Sequence, residues 1–255
     1  MIGDPGPSGS PGSLGGRIAL VTGASRGIGY HAAKAFAAAG AHVIALARTT
    51  GGLEELDDEI SSAGGSTTLV PLDLTDYEGI DRLGGAIYER WGKLDVFFAN
   101  AGILGSLSPL GHVQPKEWDQ VFAVNVTANW RLIRSLDPLL RASDAGRVIV
   151  MSSGAAHNCQ PFWGPYSASK AAVEALARTY AGEVANTPVR VVVVHPGPTR
   201  TAMRAKAMPG EDPASLPHPA ELAPHLVEMA SPAFDRTGVM FEFRTKRFVD
   251  FQAPD

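Results

Sequence analysis

A chain of 255 residues, 45% apolar and 19% charged, holds enough apolar material for one substantial α/β domain. The net charge of -4, with no block of Lys and Arg, argues against nucleic acid or an anionic membrane as a partner. The longest apolar runs, such as residues 189–195, are strand-length, well short of the roughly 18 to 20 residues of a membrane span.

Residues 1–16 are rich in Gly, Pro and Ser and carry neither the basic start nor the apolar stretch of a secretory signal, so they read as a flexible tail. The apolar run 17–23 then ends in Gly and reads as a strand, followed by helical spacing over 28–40 with a glycine stop. A strand is predicted at 42–47, a helix at 53–65, a strand at 66–74 and a helix at 77–92. Residues 94–102 form another strand running into a glycine turn, and 115–143 can hold one long helix, with Pro115 suited to its first turn. A strand at 146–153 leads to a helix from 164 to about Val184, then a strand at 189–197, a Pro-rich stretch, a helix near 219–231 and a last strand near 238–243. The single cysteine, Cys159, excludes an internal disulfide framework and a cysteine-based metal cluster. It fits a reducing cytoplasm, and no metal site is expected.

Strands apolar on both faces, alternating with helices, predict a parallel sheet covered on both sides. With right-handed crossovers this is a doubly wound α/β sheet, a Rossmann fold of about seven strands, in one domain over 17–255. Ligands bind such sheets beyond the carboxyl ends of the strands, so the turns there are the ones to inspect.

The first of these, residues 21–29, reads VTGASRGIG. Gly23, Gly27 and Gly29 allow a tight turn and close approach of a ligand, and the helix that follows offers unpaired N–H groups to a pyrophosphate. Glycines in turns are common, but this set follows a strand and opens a helix, as a dinucleotide turn requires. An acid near the end of the second strand would grip the ribose of NAD, yet no acid precedes Glu54 there. Arg48 follows that strand and Arg26 lies in the glycine turn. Each alone could be a solvated surface charge; together they suit a 2'-phosphate, and NADP(H) is expected in preference to NAD(H). Asp73, after the third strand, either accepts from an adenine amino group or caps the next helix.

The stretch 164–176, GPYSASKAAVEAL, carries Tyr166 and Lys170 four residues apart and hence on one helix face. Tyr-x-x-x-Lys alone occurs by chance in many helices. Here it follows a dinucleotide turn, and Ser153 ends the preceding strand. Ser153 can hydrogen-bond a carbonyl oxygen and Tyr166 can exchange a proton with it. A phenol titrates near 10, and an ammonium one turn away favours the phenolate.

These residues together resemble the short-chain dehydrogenase/reductase family in its single-domain branch. The resemblance rests on residues 22–29, 100–102, Asn125, Ser153, 166–170 and 196–201, and spans about residues 16 to 243. Within the family, residues 100–105, 163–170 and 196–213 resemble the YciK-like bacterial oxidoreductases. The resemblance implies a catalytic tetrad of Asn125, Ser153, Tyr166 and Lys170. Asn125 would distort its helix, and its main chain would hold a water linking Lys170 to solvent. It also implies cofactor contacts from Gly23, Ser25, Arg26, Gly27, Ile28, Gly29, Arg48, Asp73 and Leu74. Asn100, Ala101 and Gly102 would wall the adenosine ribose side, and Tyr166 and Lys170 would touch the cofactor as well. Pro196, Gly197, Thr199 and Thr201 would complete the set, the two threonines beside the carboxamide and phosphates. A homo-oligomer, dimer or tetramer, joined through long helices is implied. The C-terminal residues 238–255 lack the Gly-Gly pair of many relatives and stay unassigned.

Residues 198–219 hold five prolines and form either a substrate lid, with Met203 and Met208 as its apolar inner surface, or a plain surface loop. Ile103, Leu104, His157, Phe162 and Trp163 are candidate walls for an apolar substrate. The expected activity is hydride transfer between a nicotinamide cofactor and a small carbonyl or secondary alcohol. The rival is a dinucleotide-binding sensor or scaffold without turnover, since a fold does not prove catalysis. An epimerase-like relative would call for another glycine spacing and a larger substrate domain.

Overall fold

A computed structural model of the chain describes residues 12–251. The strands are β1 (Ile18–Thr22), β2 (His42–Ala47), β3 (Ser66–Pro71), β4 (Val96–Ala99), β5 (Arg147–Met151), β6 (Arg190–His195), β7 (Val239–Glu242) and β8 (Arg247–Asp250). The helices are α1 (Gly27–Ala38), α2 (Thr50–Ser62), α3 (Tyr77–Trp91), α4 (Pro115–Phe122), α5 (Ala128–Arg141), α6 (Ala155–Asn158), α7 (Gly164–Glu183), α8 (Ala202–Ala207) and α9 (Pro219–Ala230). The strands form one sheet in the order β3-β2-β1-β4-β5-β6-β7-β8. The pairs from β3 through β7 are parallel; β8 alone runs antiparallel, against β7.

The central strands are continuous apolar runs because both of their faces are buried. Ala19 and Val21 of β1, Val43 and Ala45 of β2 and Val192 and Val194 of β6 face a core that also holds Phe36, Leu53, Leu56, Leu222 and Leu226. Ile18 and Leu20, Ile44 and Leu46, and Val191 and Val193 face the opposite core, with Ile80, Leu132, Leu136, Val173 and Ala177. Helices α1, α2 and α9 thus cover one face, and α3, α5 and α7 the other. The chain reverses its order of winding between β1 and β4, which opens a crevice at their carboxyl ends.

Three expectations change. The sheet has eight strands, because the C-terminal residues fold back as a hairpin whose turn places Lys246 at φ 57°. That turn carries no glycine, so the usual hairpin signal is missing. The expected tail is shorter at its inner end: Leu14 is fully buried, and its N–H donates to the Ala39 carbonyl at 2.9 Å. Residues 1–11 lie outside the described residues. The long helix over 115–143 forms, but its middle, Ala123–Thr127, is a π-helical bulge that separates α4 from α5. Among the described residues, no helix is long and apolar enough to cross a membrane.

Candidate active site

The turn after β1 is built around glycine. Gly23 and Gly27 take φ of 68° and 60°, which favour glycine. A Cβ on Gly29 would stand 2.4 Å from the Gly23 carbonyl oxygen and 2.5 Å from Asn100 Nδ2, so only glycine lets α1 pack this close. Arg26, exposed, occupies the N-cap of α1 without a side-chain cap bond, leaving the first amides of the helix without a side-chain acceptor. Bare N–H groups at a helix start in a glycine cradle suit a diphosphate. Ser25 and Ile28 sit within the same turn and helix start.

A residue not singled out in the sequence, Thr22, ties this turn to the next strand end. Its hydroxyl accepts from the Asn100 and Ala101 N–H groups at 3.0 and 3.1 Å and donates to the Phe98 carbonyl, while Asn100 Nδ2 donates back to the Thr22 carbonyl at 2.9 Å. Thr201 also reaches the turn, its methyl 3.6 Å from where a Gly27 Cβ would stand. Thr201 caps α8 by accepting from the Arg204 N–H. Thr199 is buried, and its hydroxyl donates to the Pro196 carbonyl at 3.2 Å beside Gly197, which takes φ of 66°. The ends of β1, β4 and β6 therefore share one cleft.

At the far side of the cleft Arg48 Nη1 lies 3.7 Å from Asp73 Oδ2, both side chains about half exposed. Asp73 does not cap α3; Asp76 does, accepting from the Gly79 N–H at 2.9 Å. Asp73 instead accepts from the Thr75 N–H and hydroxyl, and these bonds with Arg48 hold its carboxyl below the usual range against the opposing effect of burial. Leu74 turns its side chain into the core.

The residues expected to react meet at the start of α7. Tyr166 and Lys170 share a face, with Lys170 Nζ 5.9 Å from the Tyr166 ring centroid. Lys170 is buried and donates to the Met151 carbonyl at the end of β5 at 2.8 Å. Burial lowers its ammonium to about 8, and the Glu174 carboxylate opposes that shift. The expectation that Lys170 makes the phenol acidic does not describe the free protein. Burial raises the Tyr166 phenol above its ordinary value, and a hydrogen bond with Ser153 opposes it.

Asn125 sits in the π bulge, fully buried. Its Oδ1 accepts from the Ile103 N–H at 2.8 Å, and its Nδ2 donates to the Ile103 carbonyl and to Ser169 Oγ. Its own carbonyl, to which the resemblance gives a water, accepts from Asn129 Nδ2 at 2.7 Å. A Cβ on Gly102 would lie 3.3 Å from Asn125 Oδ1 and 3.5 Å from Lys170 Nζ. Gly102 thus lies beside both Asn125 and Lys170.

Tyr166 packs in a small apolar cluster with Leu104, Ala155, Trp163, Met203, Ala207 and Met208. Residues 198–219 are therefore not a plain loop: Met203 of α8 and Met208 just after it pack against the Tyr166 cluster, and an Arg204–Glu211 ion pair at 2.5 Å braces the helix. Two expected pocket walls stand apart. Ile103 packs on the α3/α5/α7 core, and His157 lies 3.1 Å from Glu174. Phe162 is exposed, with φ of 74°.

Comparison with known proteins gives the same picture. The model of the short chain dehydrogenase family matches residues 17–212. The chain is 38% identical over 235 residues to the oxidoreductase YciK of Escherichia coli (strain K12), spanning 91% of this chain and 93% of that protein. Among solved structures, a short chain dehydrogenase of Shigella flexneri 2a complexed with NADP superposes with a TM-score of 0.88 at 37% identity, covering 92% of this chain and all of that one. One from E. coli CFT073 complexed with NADPH gives 0.86 at 37%, over 92% and 100% of the two chains. On the family match over residues 17–212 and the identity to these relatives, the chain belongs to the short-chain dehydrogenase family and is an NAD(P)-dependent oxidoreductase.

Proposed function

We propose that the protein transfers a hydride between NADP(H), taken in preference to NAD(H), and a carbonyl/secondary alcohol pair, with Tyr166 as acid and base. The observation that carries this reading is the meeting of Tyr166 with Ser153 and with Lys170, the lysine in turn beside Gly102, at the end of a cleft whose turn fits a diphosphate. The dinucleotide, when bound, supplies or accepts the hydride. Ser153 donates a hydrogen bond to the substrate oxygen, and Tyr166 passes its proton to that oxygen as the alcohol forms. Burial keeps Tyr166 protonated, the state reduction needs, and the Lys170 charge stabilises the phenolate left behind. Asn125 ties the loop after β4, at Ile103, to Ser169 of α7 and so fixes the wall of the cleft.

Arg48 and Arg26, with no acid between the second strand and Glu54, support a 2'-phosphate, as do the relatives complexed with NADP and NADPH. The apolar side chains around Tyr166 suit an apolar carbonyl compound. The same reading includes a cytoplasmic homo-oligomer, for which light scattering on the purified protein is the check. The test of function is a carbonyl panel including 9-fluorenone, benzil and decanal, followed by NADPH consumption, beside NADPH and NADH titrations. Turnover of at least one compound with tighter NADPH binding is expected. Tight NADPH binding without turnover across the panel would favour the sensor instead.

A further inference from the structure

Glu174 follows Lys170 by one turn of α7 and is buried, its side chain 7% exposed. A carboxylate so placed is costly unless its oxygens and its charge are answered. Each is answered by a neighbour of the reacting residues. Ser152 Oγ donates to Glu174 Oε1 at 2.5 Å, and His157 Nε2 lies 3.1 Å from Oε2. The Lys170 ammonium lies one turn earlier on the same helix face, also buried, and the carboxylate opposes the lowering that burial imposes on it.

Ser152 and His157 bracket Ser153 along the chain, and Lys170 itself holds the carbonyl of Met151. Helix α7 therefore grips the segment 151–157 at three points, two of them through Glu174. Ser153 hangs between those points, its hydroxyl accepting from the Ala155 N–H. From the other side, His195 of β6 presses on Gly154, where a Cβ would come within 2.7 Å of its Nε2. We propose that Glu174 is a positioning residue: it fixes the Ser153 turn relative to Tyr166 and serves as a buried counter-charge one turn from the Lys170 ammonium. This rests on the hydride-transfer reading of the same site. The groups facing Glu174 are Lys170 on α7, His157 on α6 and His195 on β6, the last 3.9 Å from Glu242 of β7.

An ordinary buried polar residue would also pack here, and two readouts separate the roles. The first needs neither cofactor nor substrate. In E174Q the charged Lys170 loses its counter-charge, so the free protein melts roughly 5 °C below the parent at pH 7. At pH 9.5 Lys170 has passed its value of about 8 and is largely neutral, and the gap shrinks to less than half. A gap equal at both pH values overturns the counter-charge role. The second readout is NADPH-driven reduction of 9-fluorenone, or of whichever panel carbonyl the parent reduces. E174Q is expected to lower kcat about tenfold with the KM for NADPH changed less than about twofold, and to move the alkaline limb to lower pH. A parental kcat and limb overturn the positioning role. Should E174Q fail to fold, S152A and H157N each remove one anchor and leave the carboxylate. Each is expected to lower kcat about threefold, and parental kcat in both overturns the clamp. The two readings fail separately: loss of the function reading shows as full turnover in Y166F, which leaves the melting comparison untouched.

Discussion

Gly29→Ala tests the cofactor cradle by putting a methyl group where glycine has a hydrogen. The new Cβ would lie 2.4 Å from the Gly23 carbonyl oxygen and 2.5 Å from Asn100 Nδ2, about an ångström inside ordinary contact. Neither neighbour is free to retreat. Gly23 is held at φ 68° in the turn, and Asn100 Nδ2 is bonded to the Thr22 carbonyl. Overpacking of this kind costs about 1 to 3 kcal/mol, and a loosened Asn100 bond adds about 1. The better helix propensity of Ala returns up to about 1 kcal/mol. The net expectation is a loss of about 2 kcal/mol, or roughly 4 to 8 °C in Tm for a domain of this size. Because the displaced atoms form the cradle, NADPH affinity should fall about tenfold or more. Gly85→Ala is the control: it is exposed on α3, its Cβ would meet nothing within 4 Å, and it should gain up to about 1 kcal/mol. Urea melts without cofactor and a fluorescence titration with NADPH read both quantities. A Gly29→Ala protein with parental midpoint and parental affinity would refute the cradle.

Other outcomes follow from the same contacts. Lys170 is cationic below about 8 and neutral above it, so NADPH-driven reduction should hold its rate on the acid side and fall through an alkaline limb near pH 8; a limb above pH 10 in kcat/KM would contradict this. Arg48→Ala should weaken NADPH binding about tenfold and leave NADH nearly unchanged, and calorimetric titration of both measures the contrast. Leu14→Ala should cost about 2 to 5 kcal/mol in urea melts despite its place in a Gly-rich stretch, because its side chain is fully buried.

The sheet and the cleft were legible because both depend on short-range pattern. Continuous apolar strands such as 190–195 announce burial on both faces, and glycines between a strand and a helix announce a phosphate cradle. What pattern misses is contact between distant segments. One leucine among glycines gives no periodicity, so nothing in residues 12–16 marked Leu14 as core. Strand β8 begins right after a turn at Lys246, which has no typical turn residue, and its charged ends hide its alternation. Spacing placed Lys170 beside Tyr166, but only coordinates show its nitrogen bonded to Met151 and the phenol raised by burial. Asp73 and Arg48, twenty-five positions apart, meet only because β2 and β3 are neighbours. Thr22 escaped because a threonine at a strand end is ordinary until Asn100 and Ala101 are seen donating to it.

The claim on which the account turns is that the Tyr166 hydroxyl exchanges a proton with the substrate oxygen. Kinetics of Tyr166→Phe with NADPH and a carbonyl that the parent reduces measure it most directly. A fall of about a thousandfold in kcat, with the NADPH dissociation constant within about twofold of the parent, is predicted. Turnover within about tenfold of the parent would contradict it.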